Sequence, residues 1–185
     1  MRTLAILAAA TTVAVPTASP SPLEQGFAGA LKGCEEWVSN PASWVNGTAP
    51  FLTTVGLGNA MGVVETVPSA VLPPENLRLA NHYWRINSTP DAGYFLIVSD
   101  RLPICHITGG GAADLQPVVE SVLASPTFKE RWEQLAVQTT GEMISTRYRH
   151  RKTKTFEIVV SRAAMPGQRT DRVQVLATAN FKLKK

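Results

Sequence analysis

The chain is short of charge, of cysteine and of long apolar runs, and each shortage excludes a class of protein. Only 17% of its 185 residues are charged while 44% are hydrophobic, and with no low-complexity tract that balance argues against wholesale disorder. No stretch reaches about eighteen uninterrupted apolar residues, so no membrane-spanning helix is expected. Two cysteines exclude a four-cysteine zinc site and a disulfide-dense miniature scaffold. The histidines are His82, His106 and His150, none at i, i+4 spacing, and neither a metal site nor another cofactor is expected. There is no G-x-S-x-G elbow, no P-loop pattern and no dinucleotide fingerprint.

What is present begins with a leader. Arg2 precedes the apolar stretch Leu4 to Val15, and Pro16 breaks it before small residues. That order is the pattern of a secretory signal peptide, too short to anchor in a bilayer. The expected organisation is a signal peptide over 1–19 and a single domain over 20–185, periplasmic or secreted. Export would place Cys34 and Cys105 in an oxidising compartment, where two thiols tend to pair. Leu23, Phe27, Leu31, Cys34 and Val38 form one apolar helical stripe, and Cys105 lies in Leu102–Thr108, a short apolar run that reads as a buried strand. A disulfide Cys34–Cys105 is therefore expected to pin the first helix to the sheet.

Residues 39–81 read as a packed but irregular Pro- and Gly-rich segment. Tyr83–Asn87 and Tyr94–Ser99 flank the turn-rich run Ser88 to Gly93, a hairpin signal. The strand holding Cys105 is expected to end at the turn Gly109-Gly110-Gly111. A helix carrying Leu115 to Leu123 follows, and Ser125-Pro126 starts a second one that bears Phe128, Trp132 and Leu135. Period-two alternation marks three more strands, around Ile144 and Tyr148, around Phe156 to Val160, and over Arg172–Leu183. The expected fold is α+β: a single antiparallel sheet of five or six strands, with an N-terminal helix and a central helical pair packed on one face.

Charge divides along the chain. Residues 20–140 hold six Lys and Arg against eleven Asp and Glu, and residues 141–185 hold eleven against three. Arg147, Arg149, Arg151, Arg172 and Lys182 fall opposite the apolar parity of their strands, with Lys152 and Lys154 at a turn. A basic strand face of this kind attracts an acidic partner protein or an anionic envelope surface. Nucleic acid is disfavoured, because only Tyr148 interleaves with the cluster and stacking platforms need more aromatics.

Catalysis finds little purchase. Cys105 and His106 are adjacent on a strand and so face opposite ways, and a disulfide-bonded Cys105 is no nucleophile. No catalytic residue is assigned, and an enzyme is the less favoured class. The alternative to the basic face is a small envelope enzyme or small-molecule binder, with a pocket near Gly109, Gly110 and Gly111 lined by Trp84 and His106. The leader, Phe27 and Cys34 on the first helix, and Ile104-Cys105-His106-Ile107 running through glycine into a helix resemble a loose group of small exported bacterial proteins of unassigned function. That resemblance covers two short stretches. It implies a disulfide-tied α+β domain and brings no activity, substrate or catalytic residue.

Overall fold

The structure is a computed structural model that describes residues 19–40 and 44–181. Apart from Ser19, the expected leader lies outside the described residues, and so does Lys182. The first helix, α1 (Pro22–Ser39), starts where local chemistry dictates. Ser21 accepts the Glu24 N–H at 3.2 Å and its own N–H donates to the Glu24 carboxylate at 2.6 Å, a reciprocal capping box with proline in the first turn. The buried face of α1 carries Phe27, Leu31, Cys34 and Trp37.

Four strands then run in succession, β1 (Met61–Val64), β2 (Asn81–Ile86), β3 (Ala92–Ser99) and β4 (Ile104–Gly111). The short helix α2 (Ala49–Val55) precedes them. Helices α3 (Gln116–Ala124) and α4 (Pro126–Arg131) lead into four more strands, β5 (Trp132–Thr140), β6 (Met143–His150), β7 (Phe156–Ala163) and β8 (Arg172–Phe181). All eight form one antiparallel sheet in the order β1-β2-β3-β4-β8-β7-β6-β5. Each half is a helical element followed by a four-stranded meander, and the halves meet at the β4–β8 seam with an approximate two-fold logic.

The expected five or six strands are thus corrected to eight, for two identifiable reasons. Strand β1 hides in the Pro- and Gly-rich segment, because its four residues Met61-Gly62-Val63-Val64 are too few to show a period. Strand β5 replaces the end of an expected helix. Phe128, Trp132 and Leu135 have helical spacing, yet α4 stops at Arg131 and Trp132 is already extended at φ −122°, ψ 136°. Beyond Trp132 the strand runs out past the helices, and Ala136 to Thr140 are exposed on both faces, which removes the alternation that signals a strand. The glycine triplet is likewise no turn, since Gly109 to Gly111 pair with both neighbouring strands. A Cβ on Gly109 would sit 2.6 Å from the Tyr94 ring and 2.5 Å from Val175, so close packing demands glycine there.

The helices cover one face of the sheet, here called inner. Cys34 and Cys105 are disulfide-bonded with their Cα atoms 5.4 Å apart, tying α1 to β4. Trp84 is 1% exposed in an aromatic cluster with Trp37 and Phe51, and Trp44 stacks on Trp37 at 4.1 Å. Phe156, Ile158 and Val160 on β7 and Val175, Ala177 and Ala179 on β8 are buried as their alternation requires. No helix among the described residues is long and apolar enough to cross a membrane.

Candidate functional site on the outer face of the sheet

Pairing register sorts the opposite, outer face into rows. One runs Arg85, Phe95, Thr108 and Leu176; the next runs Tyr83, Ile97, His106, Thr178, Val159 and Arg147. The two halves treat this face differently because their first hairpins differ. In the second half β5 and β6 are joined only by Gly141-Glu142, whereas in the first half residues 65–80 separate β1 from β2. This strap lies back over the strands. Val71 and Pro73 are buried, the Ser99 hydroxyl donates to the Leu79 carbonyl, and the Asp100 N–H donates to the Ala80 carbonyl at 3.1 Å. Beneath the strap Ile97 and Thr108 are fully buried and His106 is 4% exposed. One wet face, as alternation suggests, therefore holds for the second half only.

On that bare half the basic residues divide into groups. Arg147 is exposed beside Val159, and no hydrogen bond or ion pair engages it among the described residues. Arg149 donates to Glu133 at 3.0 Å, and Lys154 lies 3.5 Å from the same carboxylate. The hydrogen bond from Arg149, then its charge, holds the Glu133 carboxyl below the usual carboxylate range. Arg151 donates to the Lys129 carbonyl at 2.8 Å, and Lys152 is exposed at the following turn. Arg172 is not part of this cluster: it pairs with Gly111 at the start of β8, the opposite end of that strand from the row that holds Arg147.

A second cluster borders this corner and had no sequence signal, because it joins three distant elements. The Glu35 carboxylate on α1 binds the Arg131 guanidinium of α4 and lies 3.3 Å from His150 Nε2 on β6. His150 Nδ1 accepts the Thr153 N–H at 3.0 Å, which leaves the proton on Nε2 to donate to Glu35. Burial pushes the His150 pKa down.

The residues of the expected pocket are not brought together as a set. Trp84 lies in the inner-face core, while His106 lies on the outer face under the strap, its Nδ1 2.8 Å from the Thr178 hydroxyl. Cys105 is disulfide-bonded and next to His106 in sequence, so the two side chains serve opposite faces. Gly109 and Gly110 do line a cavity of about 450 Å³, together with Arg85, Phe95 and Thr108. Of these last three none was singled out from the sequence. The Thr108 hydroxyl and His106 Nε2 are buried with no hydrogen-bond partner among the described residues, and burial pushes the His106 pKa down to about 4. No group of three or more His, Cys, Asp or Glu able to hold a metal ion occurs among the described residues. No family model matches the chain, and neither a curated protein nor a solved structure matches it.

Proposed function

We propose that this chain is an exported, non-catalytic binding domain that docks an acidic, irregular segment of a partner protein on the bare outer face of β6, β7 and β8. The observation that carries this reading is the asymmetry between the halves. The first half covers its outer face with its own strap, an irregular proline-containing segment with two single 3-10 turns that carries Glu65, Glu75 and Arg78. The second half leaves the corresponding strands open with Val159 39% exposed and Arg147 unengaged beside it. A partner segment of the same character would complete the pattern, its carboxylates meeting Arg147, Arg151 and Lys152. Pairing of Arg149 and Lys154 with Glu133 moderates the positive field and favours a specific acidic segment over a uniformly anionic surface. The disulfide is compatible with a periplasmic or extracellular site of action, and the leader pattern of residues 1–19 extends that to export with cleavage near Ala18 or Ser19.

The test compares retention on an immobilised poly-glutamate peptide and on phosphatidylglycerol vesicles at about 0.15 M salt. Wild type should be held by the peptide, and Arg147/Arg149/Arg151→Gln should weaken that by at least about tenfold. Equal retention of both proteins removes the reading, and retention by vesicles alone replaces the acidic segment with a lipid surface. The intact mass of the exported protein checks the leader, with the first nineteen or so residues expected to be missing.

A further inference from the structure

The cavity on the strapped half is a separate feature from the basic face, and its lining has a polarity that the core does not require. Arg85, Phe95 and Thr108 lie in one row across β2, β3 and β4, so a guanidinium, a ring and a hydroxyl are set side by side. Val71 of the strap lines the same cavity, and beyond Phe95 the Ile86 and Arg172 backbone carbonyls close over Gly93 and Gly110 and leave no room for a side chain there. Arg85 is exposed and has no ion-pair or hydrogen-bond partner among the described residues. Thr108 is fully buried and its hydroxyl is unpartnered, a state that costs about 1–3 kcal/mol unless something else satisfies it. Asp91 and Asp171 line the other end with Arg172 beside them, all three exposed. Four residues of extended chain place Asp91 about 13 Å along β3 from Phe95. The cavity is therefore basic at one end, apolar in the middle and, with two carboxylates against the one guanidinium of Arg172, net acidic at the other.

We infer that this cavity binds a short apolar peptide with free termini, of two or three residues. Its carboxylate meets Arg85, its ammonium meets Asp91 and Asp171, an apolar side chain lies on Phe95 against Val71, and a peptide group satisfies the Thr108 hydroxyl. A simple dianion is disfavoured by the two carboxylates, and a single amino acid is too short to reach both ends. An extended peptide spans at most about 3.6 Å per residue, which with the reach of the arginine and aspartate side chains closes the gap at two or three residues. The site lies apart from Arg147 and stands or falls independently of the docking face.

The experiment is calorimetric titration of the disulfide-intact protein with Leu-Phe and Leu-Ala-Phe, each also in N-acetylated and in C-amidated form. The free peptides should bind, and capping either end should weaken binding by about tenfold or more. Arg85→Gln, at an exposed position, should weaken the free peptide as much as amidation does and leave the amidated peptide unaffected. Thr108→Val should weaken binding several-fold while its thermal midpoint stays level or rises, because the substitution removes an unpartnered hydroxyl at constant volume. Absence of binding at millimolar peptide, equal binding of capped and free peptides, or indifference to Arg85→Gln each overturns the inference.

Discussion

His106 is a histidine held neutral. It is buried between Ile97 and Thr178 in the strand register, with no charged cross-strand neighbour, and its pKa is down at about 4. An unfolded histidine titrates near 6.5, so between those two values the unfolded chain binds the extra proton and the folded one does not. Stability from this group is fully present above about pH 6.5 and is lost as pH falls toward 4, at up to about 1.4 kcal/mol per unit. His150, also pushed down by burial, acts in the same direction. Thermal midpoints measured from pH 7 to pH 4 should fall accordingly, and His106→Gln should flatten the slope. None of this was legible in the sequence. A lone histidine beside a strand cysteine says which face it takes but not whether that face is dry, and here the strap decides.

At the scale of elements, one device ties the helical layer to the sheet and a second packs neighbouring strands together. The Cys34–Cys105 bond closes a loop of 71 residues between α1 and β4, which by chain entropy is worth about 4 kcal/mol. Reduction, or Cys34→Ala with Cys105→Ala, should lower stability by up to that amount in chemical denaturation with the secondary structure retained. The second device is the close approach at Gly109. Gly109→Ala forces a methyl against the Tyr94 ring and Val175, and should cost about 1–3 kcal/mol, read as a shifted denaturation midpoint. Helix α1 was legible from the apolar stripe Leu23, Phe27, Leu31, Cys34 and Val38 alone, and the structure adds a Ser21 cap and Pro22 that agree with it. Strand β5 was not, because Phe128 and Trp132 pack together across a helix end at 6.1 Å just as they would inside a helix.

For the whole molecule, the charge division read along the chain is partly closed by the fold. Arg149 meets Glu133 and the buried Arg162 meets Glu120 at 2.6 Å, each joining a base after position 140 to an acid before it, while Arg131 meets Glu35 within the acidic stretch. What remains open is the face around Arg147, so salt should weaken the proposed docking there far more than it weakens the fold. The two meanders share the β4–β8 seam, and a half alone would expose β4 or β8 as a long apolar edge. Residues 20–112 and 113–185 expressed separately should therefore lack a cooperative thermal transition by circular dichroism, and two independent transitions would show that the halves are separable domains.

The order of residues alone was enough for what depends on near neighbours. The helical stripe ending in Cys34 and Val38, the helix start at Ser125-Pro126 and the period of two from Phe156 onward all follow from contacts a few positions apart. The pairing of Cys34 with Cys105 was legible too, since only two thiols were available. Tertiary structure decided the number of strands, which face of each stays wet, and which polar groups end in one place. Those depend on residues 65–80 folding back over β3 and β4, and on Arg85, Phe95 and Thr108 aligning across three strands. Such juxtapositions are set by register and long-range packing, which leave no periodic mark in the local sequence.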